Sequence, residues 1–378
     1  MSDPILVVVF LRGGADSLSL IAPAGDADYV AARSESLRVL RKGDAAGRVL
    51  RNPIADADFR FHPQAGALAD LYDAGDLSVI HATGLAEATR SHFDAEARIE
   101  AAGPGSVGGG WLGRWLAAAQ PGGPLPALAV GSSMPGSLAG SGAAVANELQ
   151  DLMAAAGHWL APSLRARLAE GFGAHPLLGA TVAKLASLSE AVGARVWNAE
   201  TNEALTYRPD VPYPSDTPLS QPLMTVARAI KSDLGLRVAT VDYGGWDTHV
   251  GQADQFGSLT SGLSSALVAF WRDLGPRQQD VSVVIQSEFG RRLRANASGG
   301  TDHGRAGAML VLGPQAKGGR MLGNWPGLRN EALEEGADLA VTTDYRSVLA
   351  EVMAGHMKVP DMGAVFPGFM PAPVGVWG

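Results

Sequence analysis

The run Ile5-Leu-Val-Val-Val-Phe-Leu11, followed directly by Arg12-Gly-Gly-Ala-Asp16, decides the fold of this chain. The run is short, rich in β-branched residues and almost uninterrupted in its apolar character, which is typical of a strand that is buried on both faces. The two glycines then end it. We therefore interpret 5–11 as a central strand of a parallel sheet, with a polar cluster at its carboxyl end.

Similar apolar runs recur along the chain and predict further strands of the same sheet. They lie at 77–80, 126–130, 236–242, 281–286 and 308–313. Stretches with helical periodicity lie between them, at 63–74, 91–102, 148–155, 162–170, 176–192, 222–234, 252–274 and 343–356. Alternating strands and helices are typical of crossover units, so we predict an α/β fold with a mostly parallel central sheet and helices on both faces.

The length of 378 residues suits one large domain or two ordinary ones, and we predict a single domain over 1–378. The stretch from Gly108 to Pro218 is richer in Ala, Gly, Ser and helical pattern, and it ends in a polar, proline-rich loop. We therefore predict a helical insertion or cap at 108–218. No repeat with a fixed period of 20–50 residues occurs, which argues against a solenoid or a propeller.

Composition and charge exclude several classes of protein. Apolar residues make up 46% of the chain and charged residues only 18%, which indicates a globular protein rather than a disordered one. The net charge of −8 provides no basic field, so we expect no nucleic-acid partner. Cysteine is absent, which excludes disulfides and thiolate sites, so any metal must be held by His, Asp or Glu.

The N-terminal apolar run is far shorter than the roughly 18–20 residues of a membrane-spanning helix, and no basic segment precedes it as in a signal peptide. We therefore expect no membrane partner. The sequence as written predicts a cytoplasmic location, or a periplasmic one if an export signal has been removed.

Two of the polar clusters that follow strands combine a helix start with anion-binding groups. In an open α/β sheet the ligand lies outside the carboxyl ends of the strands. After the first strand, the amides of Gly13 and Gly14 can approach an anion, and Asp16 is either a metal ligand or a helix cap.

The second cluster is Thr89-Arg-Ser-His-Phe-Asp94, which places Ser91 at a predicted helix start. Ser91 there is either an N-cap, with Asp94 three residues on as in a capping box, or a nucleophile beside a phosphate or sulfate docked on the helix amides. Arg90 is a candidate clamp for an oxyanion.

Two later clusters supply metal-ligand chemistry. In Asp242-Tyr-Gly-Gly-Trp-Asp-Thr-His249, the carboxylate of Asp247 and the imidazole of His249 are two residues apart, hence on one side of an extended segment. Ser287-Glu-Phe-Gly-Arg291 ends one strand, and Gly299-Gly-Thr-Asp-His-Gly304 precedes the next. These add Glu288, Asp302 and His303 as oxygen and nitrogen ligands, unless Glu288 pairs with Arg291 in an exposed loop.

Six phrases of the sequence resemble a bacterial family called domain of unknown function 1501. They occur in order over nearly the whole chain, as Phe10-Leu-Arg-Gly-Gly-Ala-Asp16, Thr89-Arg-Ser-His-Phe-Asp94, Gly110-Trp-Leu-Gly-Arg114, Gly244-Gly-Trp-Asp-Thr-His249, Ser287-Glu-Phe-Gly-Arg291 and Gly299-Gly-Thr-Asp-His-Gly304. That family is grouped with the alkaline-phosphatase-like superfamily of phosphatases, sulfatases and cofactor-independent phosphoglycerate mutases. The resemblance implies an alkaline-phosphatase-like fold and a divalent metal, either zinc, manganese or calcium, bound as one or two ions.

The resemblance also implies roles for particular residues. Ser91 is similar to the superfamily nucleophile, with Thr89 as the fallback, and His92 lies beside them. The implied metal ligands are Asp16, Asp247, His249, Glu288 and His303. An adjacent Asp-His pair of the superfamily resembles Glu288-Phe289, where Phe replaces the His, so one metal position is expected to be weak or lost.

The expected function is hydrolysis of a small anionic phosphate or sulfate ester. Ser91 attacks with the help of the metal, while Arg90 and the amides of Gly13 and Gly14 neutralise the transferred group. The alternative is a non-catalytic or binding protein that keeps the fold with an eroded metal site, which Phe289 favours.

Overall fold

The apolar run 5–11 forms the first strand of a central sheet in the computed structural model, which describes residues 3–54, 57–105, 108–154, 161–176 and 178–377. The strands in those ranges are β1 Ile5–Leu11, β2 Ile21–Pro23, β3 Arg48–Val49, β4 Phe59–Phe61, β5 Leu77–Gly84, β6 Ala127–Val130, β7 Ala144–Ala146, β8 Trp197–Asn198, β9 Glu203–Ala204, β10 Val238–Tyr243, β11 Val281–Gln286, β12 Arg291–Ala295, β13 Thr301–His303, β14 Gly307–Leu312, β15 Met321–Leu322 and β16 Thr343–Asp344. The α-helices are α1 Ser17–Leu20, α2 Ala27–Ala32, α3 Gly66–Ala74, α4 His92–Ala101, α5 Trp111–Ala119, α6 Ala161–Phe172, α7 Gly179–Val196, α8 Ser220–Lys231, α9 Gln252–Asp273, α10 Tyr345–Gly355 and α11 Met362–Val365.

The central sheet has the strand order β15-β5-β14-β11-β1-β10-β6-β7, with β16 also paired to β5. β1 pairs in parallel with both β10 and β11, so that Val8 lies opposite Thr240 on one side and Val284 on the other. β14 runs antiparallel to β11 and to β5, and it is the reversed strand of an otherwise parallel sheet in the described ranges. The predicted α/β class with a mostly parallel sheet is confirmed.

β1 is buried on both faces, as its composition predicted. None of its seven residues is more than 4% exposed. Ile5, Val7 and Val9 pack in one core with α3, α8 and α9, while Leu6 and Val8 pack in a second core with α4, α5 and α10. Full burial of each such side chain stabilises the fold by about 1.5–3 kcal/mol, which makes β1 the anchor of both helical layers.

The predicted helices are found with small shifts at their ends, except at 148–155. There the structure has a 3₁₀ helix at Leu149–Leu152, and residue 155 lies outside the described residues. Helix α5, in which Trp111, Leu112 and Trp115 are buried, was not predicted. In the described part of the chain, no helix combines the length and apolar character needed to cross a membrane.

The stretch 108–218 is not wholly outside the sheet. Its strands β6 and β7 extend the central sheet beyond β10, while α6, α7 and the β8–β9 hairpin follow later in the chain. The stretch therefore combines two strands of the central sheet with helices on either side of them, since α5 precedes β6 and α6 and α7 follow β7.

The fold brings five loops to one edge of the sheet. The carboxyl ends of β1, β5, β10 and β11 lie there, and the reversed direction of β14 places its first residue, Gly307, opposite Thr83 at the same edge. Gly13 and Gly14 have φ of +118° and +63°, and a Cβ on Gly13 would lie 2.5 Å from the amide nitrogen of Asp247. The turn after β1 therefore requires glycine and lets the loops after β1 and β10 touch.

Candidate metal centre

Four side chains from three loops meet at this edge of the sheet. His92 is the first residue of α4, Asp247 and His249 follow β10, and His303 ends β13. The Nε2 atom of His303 lies 2.9 Å from Nε2 of His92, 2.8 Å from Nε2 of His249 and 3.1 Å from Oδ1 of Asp247. Asp247 Oδ1 is also 3.0 Å from Nε2 of His249 and 3.5 Å from Nε2 of His92. We call these four residues the histidine cluster.

Each histidine of the cluster is oriented by an oxygen on the far side of its ring. Nδ1 of His92 lies 2.7 Å from Oε1 of Glu288, and Nδ1 of His249 lies 3.2 Å from Oδ1 of Asp302. Nδ1 of His303 lies 2.8 Å from the carbonyl oxygen of Arg90. Carboxylate and carbonyl oxygens only accept hydrogen bonds, so each Nδ1 carries the proton and donates it.

In the neutral rings, each Nε2 atom therefore carries a lone pair, and these atoms are the ones that face the other rings of the cluster. The Nε2 lone pair of His303 lies 2.8–2.9 Å from those of His92 and His249 and repels both, and a proton can relieve only one of these contacts at a time. A cation at the centre would satisfy Nε2 of His92 and His303 and the Asp247 oxygen together, with Nε2 of His249 as a further donor beside His303 and Asp247. Metal-ligating histidines typically donate the other ring N–H to a carboxylate or a backbone carbonyl, as all three do here. His92, Asp247 and His303 each offer one ligand atom within 4.8 Å of the others, so the residues fit a metal ion.

The electrostatics of the cluster are uneven. The hydrogen bond with Glu288 raises the pKa of His92, whereas burial lowers the pKa of His303. Burial alone would raise the pKa of Asp247, but its contact with His303 and the hydrogen bond and charge of Arg291 hold the pKa below its usual value. Asp247 is therefore an anion available as a ligand.

Glu288 supports His92 rather than pointing into the centre of the cluster. Its side chain is fully buried and accepts hydrogen bonds from the amide of Gly13 at 2.8 Å and from Oγ of Ser287 at 2.9 Å. Burial would raise the pKa of Glu288, but hydrogen bonds from His92, from backbone amides and from Ser287 lower it. Beside it, the ring of Phe289 packs 4.8 Å from His92 and 5.0 Å from His303, so Phe289 forms an apolar wall of the cluster.

Asp16 lies apart from the cluster. Its fully buried carboxylate is paired with Arg33 and accepts hydrogen bonds from Ser19 Oγ at 2.8 Å and from Nε2 of Gln252 at 2.7 Å. It also caps α1 through the amides of Leu18 and Ser19. Both oxygens are thus occupied by protein donors, and the structure supports the helix-cap interpretation of this residue.

Ser91 sits between two residues that contact the cluster. The carbonyl of Arg90 accepts the proton of His303, and His92 belongs to the cluster itself. The exposed hydroxyl of Ser91 makes no capping hydrogen bond to α4, although Ser91 is the N-cap residue. The hydroxyl of Thr89, in contrast, accepts from the Ser91 amide at 3.3 Å and bonds to Asp94.

The guanidinium of Arg90 is held by two carboxylates. Nη2 lies 2.5 Å from Oδ2 of the fully buried Asp338 and 2.8 Å from Oε2 of Glu335. These bonds raise the pKa of Arg90, so it stays charged. In this arrangement Arg90 is neutralised by carboxylates, and its carbonyl group is what serves the cluster.

The structure thus brings together three of the five predicted ligands, Asp247, His249 and His303, and adds His92. Glu288 is one hydrogen bond away, behind His92. Asp302 and Arg291, which lay in the same polar clusters, bond to His249 and Asp247 respectively, Arg291 Nη2 being 2.6 Å from Oδ1 of Asp247. The signal for His92 was its position next to the candidate nucleophile, in a phrase already assigned to the site.

A model of the family described as "Protein of unknown function (DUF1501)" matches residues 61–368, which is most of the chain. The resemblance predicted from the sequence is thereby confirmed. No curated protein matches the chain significantly.

Solved structures with detectable similarity include the C-terminal periplasmic domain of EcEptC from Escherichia coli, in complex with Zn, at 6% identity and a TM-score of 0.37, covering 83% of this chain and 74% of that one. The alkaline phosphatase from the Antarctic bacterium TAB5 is 10% identical over 83% of this chain and 93% of that one, with a TM-score of 0.36. Ps i-CgsB in complex with k-i-k-neocarrahexaose is 10% identical over 97% of this chain and 75% of that one, with a TM-score of 0.42. At such TM-scores, none of these likenesses carries a substrate or a mechanism over to this chain.

Proposed function

This chain belongs to the DUF1501 family, and we propose that it is a metal-dependent hydrolase of small phosphate or sulfate esters. The observation that carries the proposal is the convergence of three histidine Nε2 lone pairs and one carboxylate oxygen, each ring oriented from behind by an acceptor. An arrangement of this kind is costly without a cation, because the like-polarity atoms repel one another. Ser91, whose side chain is exposed, directly precedes the cluster residue His92 in the chain.

The donor set favours zinc. Three imidazole nitrogens and one carboxylate oxygen suit zinc and similar transition metals, whereas calcium is bound by six to eight oxygens. Of the three metals that the sequence left open, calcium is thus the least suited to this cluster. The ligands would be His92, Asp247, His249 and His303, with Glu288, Asp302 and the carbonyl of Arg90 orienting the three rings.

When bound, the ion supplies positive charge that stabilises negative charge developing on oxygen. The chain's own groups then have separate tasks. Ser91 Oγ attacks the phosphorus or sulfur atom and loses its hydroxyl proton to solvent as the bond to the ester oxygen breaks, and the departing alcohol takes up a proton from solvent. A water molecule later attacks the same atom, which returns Oγ to Ser91 as a hydroxyl and releases the phosphate or sulfate. The first amides of α4 face an anion docked at the helix start, since the hydroxyl of the N-cap residue does not occupy them.

The tests begin with hydrolysis. Wild-type protein loaded with zinc or manganese is assayed on aryl phosphate monoesters, phosphodiesters and sulfate esters. Ser91→Ala should lower kcat by at least about 10³-fold, because a nucleophile is removed, while the melting temperature hardly changes, because the hydroxyl makes no capping bond.

The matched control is Asp94→Asn, three residues along the same helix. Asp94 bonds to Thr89 and to Arg98 but is no part of the cluster, so activity should persist. Equal losses in the two variants would return Ser91 to a structural role. Retention of activity in Ser91→Ala together with its loss in Thr89→Ala would move the nucleophile to Thr89.

The second candidate function is a non-catalytic or binding protein with this fold. It is favoured by Phe289, whose ring fills the space next to His92 and His303, and by the neutralisation of Arg90 by Asp338. A protein that binds zinc stoichiometrically but hydrolyses no ester of the panel would support this candidate over the hydrolase.

A further inference from the structure

Arg291 is a fully buried cation next to the histidine cluster. It opens β12, and its side chain is 0% exposed. Its Nη2 lies 2.6 Å from Oδ1 of Asp247 and 2.6 Å from the carbonyl oxygen of Gly13, and its Nε lies 2.6 Å from the carbonyl oxygen of Gly14. The carbonyl oxygens of Thr301, 2.7 Å from Nη1, and Trp246, 3.1 Å from Nη2, complete the shell.

These five oxygens belong to the three loops that build the centre. Gly13 and Gly14 follow β1, Trp246 and Asp247 follow β10, and Thr301 begins β13, which ends in His303. An unpaired buried charge costs several kcal/mol, so an arginine is retained in such a place only with compensating acceptors. The planar fork of N–H groups lets one side chain bind all three loops at once, which a lysine could not do.

Arg291 cannot touch a substrate, since each of its three guanidinium nitrogens is hydrogen-bonded to a protein oxygen and its side chain is sealed from solvent. Its charge nevertheless acts on the cluster, because Nη2 lies 2.6 Å from Oδ1 of Asp247, the same oxygen that contacts the three imidazole rings. It is a positioning residue rather than a catalytic one.

The carboxylates that were predicted as further ligands are also neutralised from within the protein. Asp16 is paired with the buried Arg33, and Glu288 is held by the Gly13 amide, Ser287 and His92. Among the described residues at this edge of the sheet, the histidine cluster is thus where donor atoms remain for an ion. The cage around Arg291, with four carbonyl oxygens and one carboxylate oxygen, already contains a cation that belongs to the chain.

We propose that Arg291 is a built-in cation of the centre, which holds Asp247 and the three loops in position for a single metal ion. This inference rests on the metal centre of the proposed function but not on its hydrolytic step. It predicts one zinc ion per chain in the wild type. It also predicts that zinc binding depends on the positive charge of the Arg291 guanidinium beside Asp247.

Chemical rescue tests the proposal. In Arg291→Ala, the five oxygens face one another without a cation, and Asp247 loses the partner that holds it in place. Loss of such a partner of a metal ligand typically weakens metal binding at least about tenfold, so zinc affinity should fall by that factor. Guanidinium chloride at millimolar, non-denaturing concentration should restore zinc binding, because the ion carries the charge and shape of the lost group. Urea at the same concentration has a similar planar shape without charge and should not restore it. Zinc content after dialysis and zinc titrations against a competing chelator are the readouts.

Arg294→Ala is the matched control, since Arg294 lies on the same strand and is exposed, and its zinc affinity should equal that of the wild type. Arg291→Lys keeps the charge, so it serves if Arg291→Ala does not fold, and it should bind zinc more weakly than the wild type. Two zinc ions per wild-type chain, unchanged zinc affinity in these Arg291 variants, or equal rescue by urea and guanidinium would each overturn the proposal. A wild-type chain that binds no zinc would overturn it together with the proposed function, whereas one bound zinc without hydrolysis would overturn the hydrolase alone.

Discussion

Asp16 and Asp247 follow neighbouring parallel strands, β1 and β10, yet their carboxylates have opposite surroundings. Both lie next to a buried arginine, Arg33 in one case and Arg291 in the other. The Asp16 carboxylate is fully enclosed and shares both oxygens with hydrogen-bond donors, whereas that of Asp247 is 47% exposed and directs one oxygen at three imidazole nitrogens. The difference teaches that the groups around an acidic residue decide whether its carboxylate is used up by protein donors or stays open as a candidate ligand for an ion.

The largest effect expected from this comparison is on stability, at Asp16. Replacing Asp16 by Ala leaves Arg33 charged, buried and unpaired, and breaking a buried pair in this way costs about 3–5 kcal/mol. Zinc stoichiometry should stay at one per chain, because both Asp16 oxygens are engaged elsewhere. Urea unfolding in the presence of chelator measures the loss of stability, and metal analysis of the folded protein measures the zinc stoichiometry.

The control for this prediction is Asp94→Ala, which removes a partly exposed carboxylate at another helix start and should change stability far less. A double variant, Asp16→Leu with Arg33→Met, should recover part of the loss, since it removes both charges together. Loss of zinc in Asp16→Ala with the fold intact would erase the distinction between the two aspartates.

The next effect is the stabilisation by metal at the histidine cluster. At free zinc of about 100 times the dissociation constant, a single site stabilises the folded wild type by about 2.7 kcal/mol. His303→Ala removes the nitrogen that lies closest to the other three ligand atoms, so the difference in melting temperature with and without zinc should disappear. Differential scanning fluorimetry checks this, with the exposed His175→Ala as control. A zinc-dependent shift of wild-type size in His303→Ala would remove His303 from the centre.

A smaller effect is expected at Asp302, which lies behind the cluster. Its Oδ1 accepts from Nδ1 of His249 and also from Asn296 at 3.0 Å. Losing such an outer partner typically weakens metal binding 10–100-fold, which is about 1.4–2.7 kcal/mol, so Asp302→Ala should lie in this range. Competition with a chromogenic chelator measures it. Asp254→Ala, an exposed carboxylate on α9, should leave the affinity unchanged, and equal affinities in the two variants would show that His249 needs no support.

Much of the fold follows from local patterns in the sequence. The strands are apolar runs that end in glycine or polar residues. The run and its end lie within ten positions of one another, so the sequence predicted β1, β5, β6, β10, β11 and β14. The direction of β14 was not, because an apolar run looks the same in either direction. It is reversed because it returns from the short β12–β13 hairpin at the same edge of the sheet.

The loops that form the site could also be predicted from local sequence patterns. The side chains with which their residues pair could not. Asp247, His249 and His303 lie in polar phrases at strand ends, and the sheet brings those ends together. Arg33 pairs with Asp16 from 17 residues away, beyond α1, β2 and α2, and Asp338 pairs with Arg90 from 248 residues away. Such pairings depend on packing between distant segments, and no local spacing reveals them.

The smallest and most specific effect is the acid dependence of stability. Burial alone would raise the pKa of Asp16, but the charge and hydrogen bonds of Arg33 outweigh burial and hold the pKa below its usual value. The unfolded chain binds a proton at Asp16 near about pH 3.9, above the pH at which the folded chain does so. The stabilisation is therefore complete above that pH and is lost as the pH falls through the folded pKa, with a slope of at most about 1.4 kcal/mol per pH unit. Urea unfolding between pH 5 and pH 3, with chelator present to remove metal-linked protons, should give a shallower acid limb for Asp16→Asn than for the wild type. Parallel limbs would mean that Asp16 titrates alike in both states, and the contrast with Asp247 would then rest on geometry alone.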